Sequence, residues 1–314
     1  MTVMNLNRRQ LLAGASAAGL ASTLAPVDWA ALAQTAGAVL RRKIPVSGEM
    51  LPVVGIGTAI IFDFEKSDTE KMQQRAAVLK ALVDGGGALV DTAPSYGMAE
   101  ARLGDLFAAT GLRDKIFLAT KARVGSRKPT ITSFNESYKR MGVSKVELMQ
   151  LHNPKSENQD LEVYREWKKE GRAKYMGFSS SFDRDYGLLE PILKREKPDF
   201  FQIDYSLVDR NAEERLIPIA RDAGCAILTN LPFGRGRFFA KVKGKVLPEW
   251  AVKELGVTSW AQYSLKWSLG NEAITAVIPG TDRPEYMADN LKAGVGLLPD
   301  AAMRKKMVAH FESL

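Results

Sequence analysis

The chain has 314 residues, enough to bury a large core as one barrel-type domain or as two smaller ones. Hydrophobic residues at 46% and charged residues at 25% exclude a disordered chain and a polytopic membrane protein. The formal charge of +8 comes without any long Lys/Arg run interleaved with aromatics, since "RKPT" and "KVKGK" are short; a solvated basic surface is expected, and no nucleic-acid groove.

The first stretch, "NRRQLLAGASAAGLASTLAPVDWAALAQ", sets Arg8 and Arg9 ahead of a weakly apolar Ala/Gly/Leu-rich run and ends in the small-x-small pattern Ala31-Leu32-Ala33. It resembles a twin-arginine export signal. The run from Leu11 to Ala25 is short for a membrane span, so a cleaved signal at residues 1–33 is expected and no stable membrane anchor. The resemblance implies recognition by the twin-arginine export machinery and a periplasmic or otherwise exported product, cut near Ala33.

Residues 34–314 read as one domain. "VLRRKIPVSGEMLPVV" carries a turn signal at Ser47-Gly48 and predicts a small hairpin. Eight apolar strand candidates then follow in order: "PVVGIGTAI", "ALVDTA", "IFLATKA", "VELMQLH", "AKYMGFSS", "FFQIDYSL", "CAILTNL" and "AITAVIP". Helical patterns separate most of them. In "EKMQQRAAVLKALVDGG", Met72, Ala76, Leu79 and Val83 recur at helical spacing and predict one apolar stripe; "NAEERLIPIARDAG" repeats the idea. Continuous apolar strands alternating with one-faced helices need a parallel sheet covered on both sides or closed on itself, and eight of them fit a (β/α)8 barrel. The doubly wound alternative predicts a G-x-G-x-x-G turn, but Gly55-x-Gly57 reaches Ile60 and Gly234-x-Gly236 reaches Phe239. The single cysteine, Cys225, sits in a strand candidate and is expected in the core.

A barrel of this kind carries its chemistry at the C-terminal ends of its strands. Asp91 closes the second strand with Tyr96 in the loop beyond it, Lys121 closes the third and His152 the fourth. Singly, these could be a helix cap, a rim aromatic, a surface charge and a core histidine. Together they make a consistent proton-delivery set: Lys121 near Tyr96 is expected to lower the phenol's pKa, Asp91 to balance the lysine, and His152 to orient a substrate oxygen. The two histidines and one cysteine offer no ligand-spaced metal cluster, and no G-x-S-x-G elbow supports a serine hydrolase.

The ordered motifs "VVGIGT", "DTAPSYG", "FLATK", "QLHNP", "GFSS", "FFQIDYS", "PFGRG" and "IPGTDRPEYMADN" resemble those of the aldo-keto reductases from about Val39 to the C-terminus. That resemblance implies a (β/α)8 TIM barrel that reduces an aldehyde or ketone with NADP(H), NAD(H) being an alternative cofactor, and a tetrad of Asp91, Tyr96, Lys121 and His152 with Tyr96 as acid. It further implies that Asn153, Ser179 and Gln202 hold the carboxamide and that Gly57 and Thr58 line the nicotinamide side. Leu231, Phe233 and Arg235 would contact the pyrophosphate, and Gly280, Thr281, Arg283, Asp289 and Asn290 would surround the adenosine phosphate and adenine. The chain departs from the family at Ser180, where asparagine is common, at Asn230, where an aromatic often stacks on nicotinamide, and at Gly280 and Tyr286, where basic residues are common. Phe62, Phe233, Phe238, Phe239 and Trp250 are candidates for an apolar pocket around a small carbonyl substrate. A second reading keeps the cofactor on the same barrel as a sensor or binding protein without turnover.

Overall fold

A computed structural model describes residues 37–123, 127–154 and 161–314. The expected export segment at residues 1–33 lies outside them. At the expected turn, β1 (Arg41–Lys43) and β2 (Met50–Pro52) pair antiparallel. Gly48 closes that turn at φ +75°, a left-handed conformation that glycine adopts without a Cβ penalty, and its N–H bonds the Ile44 carbonyl at 2.8 Å.

Strand and helix then alternate: β3 (Ile56–Gly57), α1 (Thr69–Asp84), β4 (Leu89–Asp91), α2 (Ala99–Thr110), β5 (Phe117–Arg123), α3 (Arg127–Met141), β6 (Val146–His152) and α4 (Glu162–Lys169). The pattern continues through β7 (Ala173–Ser179), α5 (Tyr186–Glu196), β8 (Phe200–Asp204), α6 (Leu216–Asp222) and β9 (Ala226–Asn230). Helices α7 (Arg237–Val242), α8 (Glu249–Leu255) and α9 (Trp260–Leu269) lead to β10 (Ile274–Val277), and α10 (Pro284–Leu291) and α11 (Ala301–Ser313) follow it.

Strands β3 to β10 form one parallel sheet in chain order. Its two edges meet: Val54 bridges Val277, the Gly55 N–H reaches the Val277 carbonyl at 2.9 Å, and the Val277 N–H reaches the Val53 carbonyl at 2.9 Å. The expected (β/α)8 barrel and its N-terminal hairpin are both present. Inside the barrel, Leu89, Phe117, Leu148, Phe200 and Leu228 pack together, and Ile44 and Leu51 of the hairpin join them. Because these strand residues lie toward the N-terminal ends, the hairpin plugs that end and leaves the C-terminal mouth for chemistry.

Helix α1 corrects the expected stripe. Its buried residues are Arg75, Val78, Leu79 and Leu82, while Met72, Ala76 and Val83 are only partly buried. Arg75 takes a core-facing position because its guanidinium donates to the main-chain carbonyls of Ile61 and Asp282, each at 2.7 Å. Cys225 is buried as expected, and burial pushes its thiol up to about 12. Among the described residues, no helix is long and apolar enough to cross a membrane.

Candidate active site

Side chains alternate between the two faces of a strand, so a residue two places beyond an interior one also points inward. Leu89, Ala119, Leu148, Phe200 and Leu228 belong to the interior cluster. Asp91, Lys121, Gln150, Gln202 and Asn230 each stand two residues further on, and His152 and Asp204 two beyond that. The strand register brings these ends together: Gly57 pairs with Asp91, Lys121 with Gln150, and His152 with Ser179.

Lys121 donates to both Asp91 carboxylate oxygens, at 2.7 and 2.6 Å, and to the Thr92 carbonyl at 2.9 Å. Both side chains are essentially buried. The ammonium lies 5.1 Å from the centroid of the Tyr96 ring. That ring meets His152 edge-on, with centroids 6.1 Å apart, and the His152 Nδ1 is 3.5 Å from Ser95 Oγ. The four expected residues thus converge. Two glutamines complete the floor: Gln150 Nε2 donates to Gln202 Oε1 at 2.8 Å and to Asp91 Oδ1 at 3.3 Å.

Burial pushes the Asp91 carboxyl up, and the Lys121 ammonium pulls it back. Burial by itself would lower Lys121, but Asp91 and then Tyr96 outweigh it and hold the ammonium above its ordinary value. The bidentate contact is that of a charged pair. Tyr96 departs from expectation: burial raises its phenol above the ordinary tyrosine value, the lysine lowers it, Asp91 raises it, and the net direction is up. The lysine offsets desolvation without overcoming it, so the phenol keeps its proton at neutral pH.

A cavity of about 400 Å³ opens above this set, with Asp91, Tyr96 and His152 in its wall. Gly57, Ser179, Gln202, Leu231, Phe233, Arg235 and Gly280, which the family resemblance implies as cofactor contacts, line it too. A second cavity of about 440 Å³ shares Phe233 and Gly280 with the first and adds Thr281, Asp289, Asn290, Trp260 and Tyr286. Asp289 accepts from Ser259 Oγ at 2.5 Å and Gln262 Nε2 at 2.6 Å, which fixes it in that wall. Thr58, Asn153 and Arg283 line neither cavity. The first two are close by: the Thr58 N–H bonds the Asp91 carbonyl at 2.9 Å, and the Asn153 N–H bonds the Ser179 carbonyl at 2.7 Å. Arg283 is exposed, 5.5 Å from the Tyr286 ring and 3.9 Å from Glu285.

The groove suits a nucleotide. Leu231, Gly234, Arg235 and Gly236 all take positive φ, which folds the loop into tight turns, with the Gly234 N–H on the Leu231 carbonyl at 2.8 Å and the Gly236 N–H on the Phe233 carbonyl at 3.0 Å. The side-chain oxygens Thr58 Oγ1, Asn153 Oδ1 and Asn230 Oδ1 are buried without a protein partner. Asn230 keeps its amide on the Ser180 carbonyl at 3.2 Å, and Ser180 turns its hydroxyl to Asp185 at 2.6 Å. Of the candidate aromatics, Phe233 lines both cavities and Phe239 the second; Phe62 and Phe238 are core residues, and Trp250 packs against α11 through His310.

Gln150 and Asp204 are absent from the sequence reading. Burial pushes the Asp204 carboxyl up to about 7, Asp209 adds to the rise, and Arg235 opposes it. A period of two would have found both, since Gln150 precedes His152 by two positions and Asp204 follows Gln202 by two.

A family model for the aldo/keto reductase family matches residues 53–306. An L-glyceraldehyde 3-phosphate reductase of Escherichia coli O157:H7 is 27% identical over 319 aligned positions, covering 84% of this chain and 90% of its own. An aldo-keto reductase of Mycobacterium avium (strain 104) is 29% identical, covering 77% of this chain and 80% of its own. A crystal structure of an aldo-keto reductase from Klebsiella pneumoniae in complex with NADPH superposes with a TM-score of 0.72 at 20% identity, covering 88% and 95% of the two chains. Another from the same organism, in complex with NADP and acetate, gives 0.71 at 20% identity, covering 84% and 93%. With the strand-end constellation in place and the model spanning nearly the whole barrel, the chain belongs to the aldo/keto reductase family.

Proposed function

We propose that this protein reduces a small aldehyde or ketone to the alcohol, using NADPH, with Tyr96 as the general acid. The observation that carries the reading is the Asp91–Lys121 pair buried directly under Tyr96 at the mouth of the cavity. NADPH, when bound, supplies the hydride that adds to the carbonyl carbon. Tyr96 holds its proton at neutral pH and passes it to the carbonyl oxygen. The Lys121 ammonium then steadies the phenolate left behind, and Asp91 keeps that ammonium charged and in place. His152, beside the ring, orients the carbonyl oxygen. Asn153, Ser179 and Gln202 would hold the carboxamide, the Leu231–Gly236 loop the pyrophosphate, and the Gly280–Asn290 segment the adenosine end, with Arg283 on the 2′-phosphate. An aldehyde panel with NADPH, followed at the nicotinamide absorbance, tests the reading. Turnover is expected, and tight binding without oxidation of any substrate would replace it with the sensor reading.

We infer that the barrel is exported folded through the twin-arginine route, on the strength of Arg8, Arg9 and the Ala31-Leu32-Ala33 site. A nucleotide bound before export would travel with the folded protein. Replacing both arginines by lysine keeps the charge and removes the paired guanidinium signal, so uncleaved precursor should accumulate in the cytoplasm. Fractionation showing parental processing of that variant would reject the route.

A further inference from the structure

The segment between β3 and α1 is built as a bracket across the site. At one end the Thr58 N–H is bonded to the Asp91 carbonyl at 2.9 Å. Three further main-chain bonds tighten it: Ile61 N–H to Ala59 O at 2.8 Å, Phe62 N–H to Thr58 O at 3.1 Å and Asp63 N–H to Ile60 O at 3.1 Å. Ile60, at the centre of the tightest of these turns, takes φ +68°, costly for a β-branched residue and tolerated only where the surroundings over-determine the backbone. At the far end, the Asp63 carboxylate accepts the Met98 N–H at 2.9 Å.

That bond lies two residues past Tyr96, at the start of α2, where Met98 offers no side-chain cap of its own. Asp63 supplies the missing acceptor from another loop, and its charge suits a helix N-terminus. Gly97, between Tyr96 and Met98, takes φ +58°, and a Cβ there would fall 2.1 Å from Asp63 Oδ1. The turn therefore needs glycine both for its backbone and for the carboxylate that presses on it. Beyond the turn, Glu100 is locked by Thr120 at 2.7 Å and Arg140 at 2.7 Å. The Tyr96 turn is thus held at its strand end by the Lys121 bond to the Thr92 carbonyl, beyond by Glu100, and across its middle by Asp63.

We propose that Asp63 is a positioning residue, holding the turn that carries Tyr96 so that its phenol stays against Lys121 and the cavity. It lines neither cavity, and its loop is anchored on the Asp91 carbonyl, so the bracket ties the turn of the acid to the ion pair beneath it. A purely structural role predicts something else. Its loss would lower stability and leave kcat per folded molecule unchanged, whereas Asp63 is exposed and its removal should cost little stability while the turn loses its fixed geometry.

The proposal rests on the reductase reading for its kinetic test but not for its spectroscopic one. In the full chain, Asp63→Ala should lower kcat about tenfold or more, the scale of losing near-attack geometry, with NADPH affinity unchanged. Asp63→Asn keeps an oxygen acceptor at the same place and should recover most of that loss. Parental kcat in Asp63→Ala, or an equal fall in both variants, would overturn the proposal. Independently of turnover, fluorine NMR of meta-fluorotyrosine-labelled protein, with the Tyr96 signal assigned through Tyr96→Phe, should show that signal moved toward its solvent position in Asp63→Ala and restored in Asp63→Asn. An unmoved signal refutes the positioning role even if no carbonyl is ever reduced, whereas a moved signal in a protein inert to every carbonyl upholds it and sinks the reductase reading.

Discussion

The protonation of Tyr96 follows from depth, which spacing could not convey. The sequence placed a lysine beside the tyrosine and suggested a lowered pKa; burial reverses the sign, and the net shift is upward. An acid must be protonated to act, so a raised pKa extends activity toward higher pH. The kcat/KM profile should hold its alkaline plateau up to or beyond the ordinary tyrosine value of about 10. A decline centred well below that value would show that the lysine dominates after all. Asp204 gives the opposite dependence, read in stability. Its carboxyl, up to about 7 in the fold, stands near 4 in the unfolded chain, so the folded state binds more protons between those values and stability falls as pH rises through that window. Asp204→Asn removes the buried charge, and its stabilising effect should grow from pH about 4 to about 7 and level off above, at roughly 2–4 kcal/mol. Denaturant titrations at the two ends of that window check it; an equal effect at both ends would contradict it. For the cofactor, Arg283 stands exposed with its guanidinium near Tyr286 and Glu285. Arg283→Ala should weaken NADPH much more than NADH in a binding titration, and equal small losses would place the 2′-phosphate elsewhere.

At the scale of elements, the strands were legible and the helix faces less so. Six of the eight barrel strands end in a polar residue, β3 at Gly57 and β10 at Val277 being the exceptions, because a barrel strand is buried on both sides until it reaches the mouth. Helix α1 misled because a charged residue occupies a core position: Arg75 is buried against the carbonyls of Ile61 and Asp282, which hid the true stripe through Val78 and Leu82. The segment "NAEERLIPIARDAG" divides into a 3-10 turn over Asn211–Glu213 and α6, with Pro218 in the first turn of α6, where its missing N–H costs nothing. Long-range pairings such as Asp63 with Met98 left no local trace at all. The hairpin was legible from its turn, but not its task of plugging the barrel. Ile44 is fully buried at that end, so Ile44→Ala should cost about 2–5 kcal/mol of stability while leaving kcat unchanged, since the tetrad lies at the other end. A matching fall in kcat for the folded variant would mean that the two ends of the barrel are coupled.

At the scale of the molecule, the fold separates stability from chemistry: the hairpin and lower interior hold the barrel together, while the strand ends hold an ion pair, a phenol and an imidazole over a groove that runs on into a second cavity. The central claim is that Tyr96 delivers the proton for carbonyl reduction. Its most direct test is kcat for Tyr96→Phe against the parental protein, with NADPH affinity measured on both. The substitution keeps the ring and removes the hydroxyl that carries the transferable proton. The account predicts a fall of about 10²–10⁴-fold with NADPH affinity unchanged, and a variant that reduces aldehydes at the parental rate would contradict it.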